Sequence, residues 1–404
     1  MIRQGVHNRW HPDIPPYATV KPGQVFKIEC VDWTGAQIGN NDSSDDIKNV
    51  DLSRVHNLSG PIAVEGAEPG DCLVVDILDV TPFEKMPWGY TGIFELENGG
   101  GLFAREFNSK AAKAIWDFHG VYATSRHIPG VRFAGVSHPG LIGTAPSPEL
   151  LDTWNKREGA LISEFQDSVP PVAFPPEPKG AYVGQELDAK VLEKIYKEGA
   201  RTIPGREHGG NCDSLIDFIG TDVILWGYRD GQYCSRSRET FANQLRLVRL
   251  GLSPSIPASS KAFIFAHKES AIIAFSYRSP LFTEGLPSTK LSRSITSSSS
   301  KGLVSTTVNG DGKQYSMDAT VAYKQAALNC ITYLMKLGYT REQAYILLSA
   351  APVESHVGAV VDSPNACVTL ALPVGIFEHD ILPKPDGLKK LDFGQCAIRS
   401  DGVV

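Results

Sequence analysis

No apolar run in the sequence approaches the roughly 20 residues needed to cross a bilayer, so nothing in it reads as a membrane span. The first stretch, 1–16, is polar and proline-rich and holds no apolar signal core. Positive charge is not in excess. Lys and Arg number 39 against 45 Asp and Glu, a net charge of -6, which removes the electrostatic reason to bind nucleic acid or an anionic membrane. The seven cysteines are scattered and odd in number, so they suggest no disulfide framework. Cys212 and Cys234 lack both CxxC spacing and a second pair, which argues against a structural zinc site. There is no P-loop, no Gly-x-Ser-x-Gly elbow and no strand–GxGxxG–helix context. These absences leave a protein of a reducing, cytoplasmic setting with no nucleic-acid or membrane partner as the expectation.

What remains is an ordinary globular composition, 42% hydrophobic and 21% charged over 404 residues, enough to bury a core without covalent help. Residues 24–31 alternate in part and predict a strand that ends in a turn at Asp32-Trp33-Thr34-Gly35. Pro69-Gly70-Asp71 is a second turn signal, followed by the β-branched run 72–80, a buried strand. Residues 81–110 are rich in glycine and aromatics and read as loop over a core. The acidic stretch Asn40 to Asp46 reads as a solvated loop or an oxygen-rich cation site, without EF-hand spacing. Ser147 to Gly159 predicts a short helix carrying Trp154. The five prolines of 170–178 predict an extended connector. Asp188 and Gly199 bracket another helix. Asp318 to Leu337 is a strong helix pattern with Val321, Leu328, Ile331 and Met335 on its apolar face. Thr340 and Gln343 have capping-box spacing for a further helix, and 367–374 reads as a strand.

The densest chemistry lies in Gly205-Arg206-Glu207-His208-Gly209-Gly210-Asn211-Cys212-Asp213. Its glycines allow a close backbone approach, and its His and carboxylates can move protons or bind a metal. His208 with Asp213, joined by one or two carboxylates from Asp32, Glu65 or Asp362, would suit a divalent cation that polarises a carbonyl. Cys212 is a thiol candidate on the same loop, but no matching Glu and Lys context accompanies it. His119 and His127 flank a short segment; His138, before a proline, reads as structural, as do Glu354, His356 and Asp362 taken singly.

Several blocks in fixed order carry a resemblance. They are Pro61 to Asp71, Arg132-Phe133 with His138 to Gly143, Trp154-Asn-Lys-Arg-Glu-Gly159, His208-Gly-Gly-Asn-Cys-Asp213, Asp318 to Tyr323, and Ala351 to Glu354 with Val361-Asp362 and Pro364 to Ala366. The sequence resembles the acetamidase/formamidase family, above all its longer fungal-type formamidases, across about 1–213 and 303–380. The resemblance implies a β-rich α+β fold with a β-sandwich component and flanking helices, one catalytic unit over 1–404. It also implies a cytoplasmic homo-oligomer that hydrolyses short amides, formamide first, to carboxylate and ammonia. His208, Asp213 and Asp362 are then the catalytic candidates, and Gly209, Gly210 and Asn211 the substrate-binding ones. Asp32, His208 and Asp213 are the candidate ligands of a divalent metal such as zinc.

One interval departs from the family. Members continue after the His-Gly-Gly-Asn block with an Asp-Leu-His and a Gly-Asp-Gly-Glu motif, and neither is found between Ser214 and Gly302. That interval carries eleven Lys and Arg against six Asp and Glu, and fourteen serines from Ser253 onward. Its abrupt edges and lack of period fit translation in a shifted frame or through an intron. The alternative reading of the chain is therefore a catalytically impaired relative with an incomplete site.

Overall fold

A computed structural model of the chain describes residues 5–68, 72–79, 82–120, 122–134, 140–165, 176–211, 222–226, 239–242, 247–252, 272–274, 307, 309, 311–360 and 363–392. The expected turn at 69–71 and most of the proline connector lie outside these residues. The chain divides into two compact units. The first is Met1–Gly39, Asn49–Phe83 and Val136–Lys261; the second is Asn40–Lys48, Glu84–Gly135 and Ala262–Val404.

The first unit holds the sandwich. One sheet orders Gly209–Gly210, Ile142–Thr144, Glu239–Ala242, Ile62–Val64 and Ala18–Val20; a second orders Asp222–Trp226, Cys72–Asp79, Leu247–Leu252 and Val25–Phe26. Pairs are antiparallel except Ala18–Val20 on Ile62–Val64. Val20, Ile62, Val64 and Ile142 from one sheet meet Leu73 and Val75 from the other in a single buried cluster. Such facing of two inner faces is what makes a sandwich. The β-branched run is the central strand of its sheet, as its sequence predicts, and Val75 is fully buried. Of 24–31, only Val25–Phe26 forms a strand. Three strands of these two sheets come from the interval 214–302, which shows no period in sequence.

Two helices complete this unit. Pro148–Glu164 starts at Ser147, whose hydroxyl accepts from the Leu150 N–H, and runs past the expected stop at Gly159. One interior glycine costs about 1 kcal/mol, too little to break a helix continued by Ala160, Leu161 and Ile162. Ala189–Glu198 is capped by Asp188 and ends at Gly199, as its sequence predicts.

In the second unit, Ile128–Ala134, Tyr122–Ser125, Ala112–His119 and Trp88–Ile93 form an antiparallel meander, and Ile272–Ala274, Cys367–Pro373 and Glu354–Ala359 a second sheet. Trp88–Ile93 corrects the reading of 81–110 as loop. Its glycines serve packing: a Cβ on Gly92 would sit 2.6 Å from the Ile47 Cδ1. Helix Ala319–Leu337 is capped by Asp318 and ends at Gly338 (φ 120°), where a Cβ would meet the Leu391 carbonyl. Helix Arg341–Ala350 carries the predicted capping box. The apolar face of the longer helix is rotated from expectation. Ile331 is buried and Leu328 half-buried, as expected, but Met335 is exposed, while Ala322, Ala326, Ala327, Cys330 and Leu334 are buried. Small side chains let the helix axis approach its neighbours closely, so alanines occupy the inner face and the long Met lies outside. No described helix is long and apolar enough to cross a membrane.

The acidic stretch is tied down by cations of this same unit. The Lys113 ammonium, fully buried, donates to Asn41 Oδ1 at 3.0 Å and to both Asp46 oxygens at 2.9 and 2.7 Å. Arg126 donates to Asp42 at 2.7 Å and to Asn40 at 2.9 Å. His127, whose Nδ1 accepts from the Ile115 N–H, places its Nε2 3.1 Å from Asp42. The Arg126 hydrogen bond holds the Asp42 carboxyl below the usual range. Asn40, Asn41, Asp42 and Asp45 are exposed, as a solvated loop would have them, while oxygens of Asn41 and Asp46 hold a lysine ammonium. Removing one partner of a buried pair strands the other, at a cost of about 3 kcal/mol. Lys113→Met is expected to lower the unfolding free energy in urea by that amount, and an unchanged midpoint would contradict the assignment.

Candidate active site

The loop singled out by sequence leaves strand Ala200–Arg201, which pairs with Arg9–Trp10, and enters the strand Gly209–Gly210. The two glycines are extended, not turned: Gly210 faces Ile142 and Gly209 faces Gly143. The Thr144 N–H donates to the His208 carbonyl at 3.1 Å. That makes Thr144 and His208 a hydrogen-bonded pair, so the next pair, Gly143 and Gly209, is the non-bonded one. The Gly209 N–H therefore points away from Ile142–Thr144, toward the outer side of the sheet's terminal strand.

His208 is 1% exposed. Trp10 meets its ring edge-on at 4.6 Å between centroids and 88° between planes. Trp154 lies on another side at 4.5 Å and 48°. Neither imidazole nitrogen has a hydrogen-bond partner among the described residues. Burial, reinforced by the Arg206 guanidinium and opposed by Glu207, depresses its pKa to about 3. The ring is neutral at ordinary pH, with one basic nitrogen and one N–H.

Two ion pairs fix the loop to the helix that carries Trp154. Arg206 donates to Glu158 from Nε at 2.6 Å and from Nη2 at 2.7 Å, and its Nη1 reaches the Arg201 and Pro204 carbonyls. In the opposite sense, Arg157 donates to both oxygens of Glu207 at 2.5 and 3.1 Å, and the Trp154 indole N–H to the same carboxylate at 2.9 Å. Arg206 also lies 5.0 Å over the Trp154 ring. The Arg157 hydrogen bonds bring the Glu207 pKa down to about 2.

The other sequence candidates fare differently. Asp32 forms the predicted turn rather than a metal site. Its Oδ2 accepts from the Thr34 N–H at 3.0 Å and from the Thr34 hydroxyl, and its Oδ1 from the Ala36 N–H. An Asx turn of this kind uses the lone pairs a cation would need. Asn211 donates its amide to the Ile203 carbonyl at 2.8 Å and so closes the loop on itself. Glu65 is exposed. Asp213, Asp362, Cys212 and His138 lie outside the described residues. Among the described residues, no three His, Cys, Asp or Glu side chains gather as a metal site. Sequence reasoning passed over Trp10, Arg157, Glu158 and the pairing roles of Arg206 and Glu207. The signal was there in the two Arg-Glu dipeptides, 157–158 and 206–207, one of them three residues after Trp154.

The depressed pKa values fix a sign. Between its ordinary value of 6.5 and about 3, His208 binds fewer protons in the folded protein than in the unfolded chain, so stability falls as the pH drops below 6.5. Glu207 adds a loss in the same direction as the pH falls from 4.5 toward 2. His208→Phe is expected to reduce the loss of unfolding free energy between about pH 7 and about pH 5 by ~2 kcal/mol. Urea titrations at the two pH values measure it, and parallel losses in both proteins would show that His208 does not titrate as described.

A family model described as the Acetamidase/Formamidase family matches residues 2–226 and 274–379. A formamidase of Methylophilus methylotrophus is 47% identical over 400 residues, covering 95% of this chain and 92% of the relative. An acetamidase of Mycolicibacterium smegmatis is 44% identical over 379 residues, 87% of each chain. Among solved structures, a gamma lactamase from Delftia acidovorans has a TM-score of 0.77 at 41% identity, covering 96% of this chain and 93% of that one. His208, Asp213 and Asp362 fall inside the family match, whereas 227–273 falls outside it. The chain belongs to the acetamidase/formamidase family.

Proposed function

We propose that this amide-hydrolysing enzyme acts on short linear amides, formamide above all, releasing carboxylate and ammonia. The observation that carries the reading is His208: a neutral, buried imidazole with both nitrogens bare, next to an outward-pointing Gly209 N–H, in a chain whose relatives are a formamidase and an acetamidase. Water adds to the amide carbon as its proton passes to the basic nitrogen of His208. The Gly209 N–H stabilises the oxyanion. The C–N bond then breaks as the proton is handed to the amide nitrogen, and ammonia leaves. Asp213 is the carboxylate assigned to assist this proton traffic. A small amide offers little binding energy, so selectivity must come from a tight polar pocket. The cytoplasmic setting and the homo-oligomeric assembly belong to the same proposal.

As the alternative use of the same basic nitrogen, a divalent metal, zinc among the candidates, is proposed with His208 and Asp213 as ligands. The nitrogens of His208, bare among the described residues, support it, while the Asp32 carboxylate accepts from Thr34 and Ala36 in its own turn. Bound there, a cation would supply Lewis-acid polarisation. A second substrate class, the five-membered cyclic amide, has support in the likeness to the gamma lactamase.

Ammonia release from formamide should therefore fall by at least about 100-fold in His208→Ala, the usual scale for loss of an acid–base group. Asp213→Asn should show a comparable loss, and full turnover in either variant removes that residue from the reaction. Elemental analysis of the same preparations should find about one divalent metal per chain in the parent enzyme and less in both variants. Equal metal in all three would dismiss this ligand pair. Parallel assays on formamide, acetamide and a γ-lactam rank the substrate classes.

A further inference from the structure

A histidine that moves protons is usually oriented by a hydrogen bond from its second nitrogen to a carboxylate or carbonyl. His208 has no such bond among the described residues. Among the described residues its ring is met by two walls, Trp10 and Trp154.

Both walls lead to Arg206. Trp10 lies on the strand that pairs with Ala200–Arg201, and the Arg206 Nη1 donates to the Arg201 carbonyl at 2.7 Å. Trp154 lies on the Pro148–Glu164 helix, and the other two nitrogens of Arg206 grip Glu158 on that helix. The indole of Trp154 is held twice more, on its face by the Arg206 guanidinium and at its N–H by Glu207. Glu207 is itself gripped by Arg157, the residue next to Glu158. Two neighbours on the loop thus pair with two neighbours on the helix, Arg to Glu and Glu to Arg.

The pairs add no net charge, and stability alone does not explain them. Arg206 is 1% exposed at its side chain and Glu158 17%. Desolvating such a pair offsets most of its attraction, and apolar side chains of the same volume would serve stability as well or better. What apolar side chains lack is direction: a guanidinium fork fixes angles as well as distances.

We infer that the crossed pairs Arg206–Glu158 and Glu207–Arg157 are the positioning device of His208, setting the orientation of its imidazole through Trp10 and Trp154. These four charged residues are positioning residues, and the inference rests on the reading of His208 given above.

The test compares parent enzyme, His208→Ala, Arg206→Lys, the exchange pair R206E/E158R, and Arg157→Gln. Three quantities are followed: kcat and KM for formamide, the urea midpoint, and the His208 ring-nitrogen shifts in histidine-labelled protein. Arg206→Lys keeps the charge but loses the fork, and kcat should fall roughly 10- to 100-fold with KM within about 3-fold, the scale of a small misplacement of a reacting group. The exchange pair restores opposite charges but cannot donate to the Arg201 and Pro204 carbonyls, so its kcat should stay low at a near-parent midpoint. Parent-level kcat in either protein would overturn the inference, reducing the pairs to a structural tie. Arg157 is 52% exposed at its side chain, so Arg157→Gln offers an arm that does not depend on the buried pair. It should move the His208 nitrogen shifts and lower kcat at an unchanged midpoint; unmoved shifts would overturn the inference. Parent-level turnover in His208→Ala would instead sink the role of His208, whatever the nitrogen shifts report about its orientation.

Discussion

The guanidinium of Arg206 is the constraint from which the site geometry follows. It has three nitrogens and three places to put them: two on Glu158 and one on the carbonyls at the end of the Ala200–Arg201 strand. A lysine has the charge but not the planar fork, so it could not hold helix and strand at one fixed angle. Once these are fixed, Trp154 and Trp10 are fixed with them. Both indoles meet the one flat five-membered ring of His208, at 4.6 and 4.5 Å between centroids. The loop then continues into the strand Gly209–Gly210, where alternation of the antiparallel ladder turns the Gly209 N–H outward. One side chain thereby sets an imidazole that is bare among the described residues next to an outward-pointing backbone donor.

The second unit meets the cost of a buried charge differently. Lys113 is enclosed by oxygens from Asn41 and Asp46, and Arg126 and His127 gather Asn40 and Asp42 beside them. Oxygen-rich composition at 40–46 is what a bound metal would require, and it is equally what a buried ammonium requires, since both need several lone pairs converging on one cation. Composition cannot tell the two apart because the ammonium is 67 residues away in sequence from the Asp46 that receives it.

That separation explains what could be read in advance. Caps are local chemistry: Asp188, Asp318 and the Thr340–Gln343 box each act within three residues, and the helices begin where they stand. The strand 72–79 was legible because it is a β-branched run, whose Leu73 and Val75 are buried. Trp88–Ile93 was hidden because its glycines answer to Ile47 in another segment, not to strand propensity. Strands such as Asp222–Trp226 are defined by partners far along the chain, and no local period announces them. The site divides in the same way. His208 stood out because glycines flank it, whereas the clamp spans 48 and 50 residues and shows only as two Arg-Glu dipeptides. Asp32 misled because a carboxylate suited to a metal is as well suited to capping its own turn.

The proton chemistry of His208 sets a further condition. A pKa of about 3 makes the imidazole a poor base near neutrality, where a general base works best with a pKa close to the ambient pH. The largest cause of that low value is burial, and burial penalises only the unpaired cation. A carboxylate brought to one ring nitrogen would restore basicity at the other. A metal at the basic nitrogen would instead use the neutral ring as it stands, since ligation requires the deprotonated form. Both routes need the nitrogens to be bare beforehand. They also need the ring to stay put when a charge arrives, because a ring free to rotate would follow that charge rather than the substrate. Wedging the imidazole between indoles held by crossed ion pairs meets that need without occupying either nitrogen.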